Sequence, residues 1–134
     1  MKVIIFGCGR LGAFLAQALS QKGEEVAVID RDPRAFRLLG SHFQGKTVVG
    51  TGVDEDVLRE AGIEQSDAFA AVTNGDKINI MSSLIAQEIY RVPNVIARIA
   101  DPKMEEIYRE LGLKTLCPTR LSSEMILHLL NNGQ

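Results

Sequence analysis

The sequence predicts an α/β fold: a doubly wound, three-layer parallel sheet of six strands in the order 3-2-1-4-5-6, with helices on both faces. Three observations predict it. Short β-branched runs recur along the chain, segments of helical spacing lie between them, and Gly, Asp and Pro stand where helices must start and stop. Strands alternating with helices imply right-handed crossovers, and these build a parallel sheet with both faces covered.

The strands are read at Val3–Phe6, Val26–Ile29, Thr47–Val49, Phe69–Val72, Val95–Ile99 and Thr115–Leu116. Leu11, Leu15 and Leu19 share one face of the first helix, which Gly23 can end. Asp32-Pro33 is an N-cap followed by proline at N1, and it starts the second helix. Gly62 stands at a C-cap position, and Ile78, Met81, Ile85 and Ile89 share one face of the fourth helix. Asp101-Pro102 repeats the start signal for the fifth, and Gly112 closes it. In a final helix, Leu121, Met125, Ile126, Leu129 and Leu130 cover one broad face. No repeat, linker or low-complexity segment interrupts the chain, so residues 1–134 read as one domain.

Composition narrows the function. The 134 residues are 46% hydrophobic and 24% charged, the balance of an ordinary globular protein able to bury a core. A net charge of −2 argues against a phosphate-backbone partner, and five Phe, two Tyr and no Trp leave little for a base-stacking platform. No nucleic-acid partner is therefore expected. No apolar stretch approaches the ~18 residues needed to span a bilayer, so no direct membrane insertion is expected. The start, Met1 to Cys8, superficially resembles a secretion signal, but its apolar run falls short of the ~7–15 residues of a real one. Cys8 and Cys117 lack metal-ligand spacing and read as buried, reduced thiols of a cytosolic protein. No metal site is expected.

Gly7-Cys8-Gly9-Arg10-Leu11-Gly12 is a G-x-G-x-x-G fingerprint in its required context, after an apolar strand and at the start of an amphipathic helix. Gly7 permits the tight turn, Gly9 lets backbone approach a pyrophosphate, and Gly12 allows close helix–strand packing. The phosphate would sit on the helix N-terminus, where amides and macrodipole favour an anion. Asp30 closes the second strand eighteen residues after Gly12, the place of the acid that accepts from a ribose diol and repels a 2′-phosphate. Asp32 reads instead as the N-cap before Pro33.

The remaining candidates have two readings each. Arg10 opposes the dipole of its own helix, so it reads as a phosphate contact or as a solvated side chain. Thr51 and Gly52 follow the third strand and could lie beside an adenine, or form a plain turn. Thr73 and Asn74 follow the fourth strand, Asn79 lies one turn into the next helix, and Arg98 stands near the end of the fifth strand. These read as ligand contacts, or as turn, cap and surface residues.

Together these segments resemble the N-terminal nucleotide-binding domain of the TrkA/KTN/RCK proteins, cytoplasmic regulators of potassium channels and transporters. The resemblance runs through Val3–Gly12 and Val28-Ile29-Asp30-Arg31-Asp32. It continues through Leu58–Ile63, Asp67–Thr73, Asp76–Asn79 and Ala97–Pro102, and so covers nearly the whole chain. It implies a Rossmann fold that binds NAD(H), ATP, ADP or AMP at the glycine loop, with nucleotide exchange gating ion flux. It also implies a homo-oligomer, a dimer assembling into a ring beneath a membrane-embedded potassium transporter or channel subunit, peripheral to the inner membrane. Arg10 would reach the phosphates, and Leu121–Leu130 would be a crossover helix packing on a neighbouring subunit.

Two departures from the family pattern stand out. Gly50-Thr51-Gly52 replaces the Gly-Asp-Ala of many members near the adenine, and Pro118-Thr119 replaces a metal-binding Pro-Glu pair. The family's second, ligand-binding lobe is expected to have been separated from this sequence or to be supplied by another chain. The competing expectation is the NAD-binding domain of an oxidoreductase without its substrate domain. His42 and His128 stand away from the strand ends where an acid–base group is needed, and Lys77 is the one candidate proton donor nearby. A regulatory binding module, and not an enzyme, is the expectation.

Overall fold

The structure, a computed structural model, describes residues 1–132. Its strands are β1 (Lys2–Phe6), β2 (Glu25–Asp30), β3 (Lys46–Val49), β4 (Ala68–Ala71), β5 (Asn94–Arg98) and β6 (Lys114–Leu116). They form one parallel sheet in the order β3-β2-β1-β4-β5-β6, the order expected from the sequence. Register places Phe6 of β1 between Ile29 of β2 and Ala71 of β4. The carboxyl ends of these three strands therefore finish side by side, where the order of strands reverses.

Alternation along β1 divides the core. Ile4 and Phe6 face α2 (Glu55–Glu60), α3 (Asp76–Leu84) and α4 (Pro102–Glu110), through Leu58, Ile80 and the half-buried Met104 and Tyr108. Val3 and Ile5 face α1 (Arg10–Gln21), through Ala13 and Ala16. Each fully buried Ile or Phe in these layers contributes about 1.5–3 kcal/mol relative to an exposed one. Positive φ at Gly23, Gly62 and Gly112 ends α1, α2 and α4, as their positions in the sequence imply.

Three helices differ from their sequence reading. The segment after Asp32-Pro33 is a 3-10 helix, Pro33–Leu39, closed by i→i+3 bonds such as Ala35 N to Asp32 O at 3.0 Å. In α1 the buried residues are Gly12, Ala13 and Ala16, whereas Leu11 is 42% exposed and Leu15 and Leu19 sit at the margin. Small residues let that helix lie close to the sheet and push the leucines outward. In α3 the buried stripe is Asn79, Ile80, Ser82 and Ser83, and the helix widens into a π turn over Ile85–Ile89. Met81 and Ile89 are exposed and line an apolar groove with Met104 and Tyr108 of α4.

The last helix, α5 (Pro118–Asn132), buries none of its side chains. Its broad apolar face, Leu121, Met125, Ile126, Leu129 and Leu130, is exposed, as is Leu127.

Candidate functional site

The crevice at the strand reversal is built by two loops pressed together. Gly7 ends β1 with φ +112°, and a Cβ there would lie 2.8 Å from the amide nitrogen of Thr73 beyond β4. Gly12, in the first turn of α1, meets the same loop: its Cβ would fall 1.8 Å from the Gly7 carbonyl oxygen. Gly9 differs from both. A Cβ there would touch nothing within 4 Å, so side-chain space at Gly9 opens outward.

Helix starts around the sheet differ in their caps. The 3-10 segment, α2 and α4 each begin with an aspartate, Asp32, Asp54 or Asp101, whose carboxylate accepts from the first-turn amides. The helices α1 and α3 begin at the crevice with glycines, Gly9 and Gly75, and no side chain caps either. The first turn of α1 also carries no acid. Its leading amides, which have no intrahelical acceptor, thus remain donors with the positive end of the dipole behind them.

Asp30 stands at the end of β2 and organises the glycine loop. Its Oδ2 accepts from the Cys8 amide at 2.8 Å and its Oδ1 from the Asp32 amide at 2.9 Å. A carboxylate offers about four lone-pair positions, so two remain beyond these bonds. The Cys8 thiol is turned into the α1-side layer, 1% exposed, and donates to the Ala35 carbonyl at 3.4 Å. Burial, and then the Asp30 charge, push its pKa up to about 11. It stays protonated at neutral pH and serves as a packing group and weak donor.

The resulting cavity measures about 470 Å³. Of the residues singled out from the sequence, Gly7, Cys8, Gly9, Asp30, Arg31, Thr73 and Asn74 line it. Arg10 and Leu11 lie on the exposed first turn of α1, outside this lining. Neither Arg10 nor Arg31 joins an ion pair among the described residues, so both charges are available beside the crevice.

Four candidates stand behind the lining. Gly52 is pressed onto the Phe6 ring, where a Cβ would come within 2.5 Å, and neither it nor Thr51 lines the crevice. Asn79 is fully buried and spends its amide inside the protein. Its Oδ1 accepts from the Thr73 amide (3.1 Å) and hydroxyl (2.5 Å), and its Nδ2 donates to the carbonyls of Thr73 and Arg98, both at 2.9 Å. Arg98 Nη1 donates to the Thr73 carbonyl at 3.1 Å. Asn79 and Arg98 thus hold the Thr73 loop in place from behind.

Sequence reading missed the apolar part of the wall. Phe6, Val72 and Ile78 line the crevice; Phe6 and Val72 are buried core residues, so the half-buried Ile78 offers most of the apolar surface on which a flat ring or base could pack. Their signal, an apolar residue at a strand end, is the same as that of a core residue. Lys77 faces the apolar groove of α3 and α4 instead, and His42 and His128 are exposed away from the crevice.

A parallel sheet with its strand reversal at a glycine loop, beside two helix starts free of side-chain caps, defines a doubly wound Rossmann domain. Within that class the TrkA-N domain model matches residues 3–118, and the chain belongs to this family. It is 52% identical over 130 residues to a Trk system potassium uptake protein TrkA from Streptomyces coelicolor, covering 97% of this chain and 58% of that one. A TrkA homolog from Pyrococcus abyssi is 34% identical over 111 residues, covering 83% of this chain and 49% of that one. The chain thus spans about half the length of these relatives. Solved structures share the fold: the TrkA-N domain of the Escherichia coli inner membrane protein ybaL superposes with a TM-score of 0.82 at 20% identity, covering 96% of each chain. An AMP-bound Shewanella denitrificans Kef C-terminal domain gives 0.81 at 23% identity, over 98% of this chain and 83% of that one. GsuK bound to ADP gives 0.81 at 22% identity, over 99% of this chain and 34% of that one. Among the described residues, no helix is long and apolar enough to cross a membrane.

Proposed function

We propose that residues 1–134 form one TrkA-N domain, a cytoplasmic regulatory module of a potassium uptake transporter or channel. It binds NAD(H) or an adenine nucleotide (ATP, ADP or AMP) in the crevice and so gates ion flux. The observation that carries this reading is the α1 start: free amides behind an unobstructed Gly9, with Asp30 fixed beside them. Phosphate would sit on the α1 amides, the ribose diol would donate to the free lone pairs of Asp30, and Ile78 would pack on the organic part. Arg10 and Arg31 would supply counter-charge to the phosphates. A 2′-phosphate would meet the Asp30 carboxylate, so NADP is disfavoured.

The names of the TrkA relatives, and the AMP and ADP in related folds, support this reading over the oxidoreductase alternative. The domain would reach the inner membrane only through its partner, a membrane-embedded potassium transporter or channel subunit. The exposed apolar face of α5 supports a homo-oligomer, a dimer assembling into a ring, in which this crossover helix packs on a neighbour.

Gating follows from differential affinity. A nucleotide moves an assembly only by as much as its affinities for two conformations differ, and turning a mostly closed population into a mostly open one takes a difference on the order of 10⁴-fold. In the assembly of this chain with its transporter, the activating nucleotide is expected to bind the open state more tightly. Equal affinities for open and closed states contradict the mechanism.

A further inference from the structure

We propose that Asp76 is a positioning residue, a strut through which the crevice sets the attachment of α5; its coupling role rests on the nucleotide-binding reading above. Asp76 directly follows the crevice-lining turn Thr73-Asn74-Gly75 and opens α3. Its carboxylate reaches across the sheet end to the β5–α4 connection: Oδ1 accepts from the Ala100 amide at 2.8 Å, and Oδ2 from the Asp101 amide at 3.0 Å. Both oxygens are thus used to hold one short loop. The Arg98–Thr73 bond braces the same two loops a second time.

That loop is where α5 is tied down. The Ala100 carbonyl accepts from the Thr119 hydroxyl at 3.2 Å and from the Cys117 thiol at 3.7 Å. The guanidinium of Arg120 donates to the Pro102 carbonyl at 3.3 Å, and its Nε lies 3.4 Å from the carboxylate of Glu105. Glu105 is 3% exposed, and its other oxygen accepts from the Thr115 hydroxyl at 2.5 Å. Arg109 Nε lies 3.4 Å from the same carboxylate, so this buried charge sits between two guanidiniums, one on α4 and one at the root of α5. Past Arg120 the helix is exposed throughout its described length. A helix held at its first turn is a lever: a small tilt at the root sweeps its far end, about 1.5 Å of length per residue away. The chain of contacts is then continuous. The Thr73–Gly75 turn joins Asp76, Asp76 joins the Ala100–Asp101 backbone, and Ala100–Glu105 holds the root of α5. A ligand that pulls on the turn acts on α5 through the two oxygens of Asp76.

Amide exchange followed by mass spectrometry tests this on the whole chain, with ADP and NAD⁺ as separate probes. Without nucleotide, Asp76→Ala is expected to raise exchange at Ala100, Asp101, Leu121 and Ser122 by about tenfold or more while leaving β1 and β4 unchanged. With saturating probe, the wild type should show altered exchange both at the start of α1 and at the root of α5. Asp76→Ala should keep the first response and lose most of the second. A general loss of stability would instead raise exchange in β1 and β4 as well. Unchanged exchange at the α5 root without nucleotide, a β1 and β4 rise of equal size, or a full α5 response in the variant overturns the strut. Asp76→Asn, which retains one acceptor oxygen, serves in the same test with an intermediate expected effect if the alanine variant does not fold. If neither probe alters α1 in the wild type, the nucleotide reading falls, and the nucleotide-free comparison still decides the strut.

Discussion

Gly12→Ala is expected to cost about 3 kcal/mol or more, whereas Gly9→Ala leaves stability within roughly 0.5 kcal/mol of the wild type. The two glycines lie three residues apart in one motif, and they differ in what surrounds them. A methyl at Gly12 would overlap the Gly7 carbonyl oxygen at 1.8 Å, and relief requires moving either α1 off the sheet or the loop out of the crevice. A methyl at Gly9 meets nothing, and φ of −84° suits any residue. Thermal unfolding reads the difference, with Gly12→Ala falling by roughly 10 °C or more. The same Gly9 methyl would stand where phosphate is to approach the backbone, so nucleotide affinity should fall by about tenfold or more in a fully folded variant. A Gly9→Ala protein that binds nucleotide as the wild type does would contradict the proposed phosphate position.

Asp30→Ala is expected to weaken adenine nucleotides by roughly 100-fold or more, since the proposed ribose contact would make two charge-assisted bonds to that carboxylate at about 1.5–3 kcal/mol each. The variant also releases the amides of Cys8 and Asp32, so a stability loss of about 1–3 kcal/mol should accompany it. Those two effects are separable. Stability reports the loop bonds, and the ratio of NAD⁺ to NADP⁺ affinity reports the ribose contact, because removing the carboxylate also removes its repulsion of a 2′-phosphate. Titration showing an unchanged ratio would assign Asp30 to the loop alone.

The sheet was legible because its signals are local. Each β-branched run lies within one residue of a strand, and the caps at Asp32, Gly62 and Asp101 depend only on neighbouring backbone. The faces of α1 and α3 were less so. Periodicity finds Leu11, Leu15 and Leu19, or Met81 and Ile89, on one side of a helix, but which side meets the sheet depends on how closely the helix approaches it. Gly12 and Ala16 in α1, and Ser82 and Ser83 in α3, bring the helices in close and turn the larger residues out. The same limit applies in the crevice. Gly7, Gly9 and Asp30 were readable from spacing, because the motif is contiguous with its strand. That Gly52 is pressed onto Phe6, or that Asn79 and Arg98 converge on Thr73, depends on contacts across many residues of chain. Asp76 shows this best: nothing beside it in sequence points to the amides of Ala100 and Asp101.

The most direct test of nucleotide binding in the crevice is calorimetric titration of the purified chain with NAD⁺, NADH, NADP⁺, ATP, ADP and AMP. Stoichiometric binding of at least one adenine ligand, with NADP⁺ weaker than NAD⁺, is the expected result. Selectivity for the dinucleotides would make the domain a redox sensor, and selectivity for ATP, ADP or AMP an energy-charge switch. Binding of none of the six, or NADP⁺ binding most tightly of all, would contradict the account.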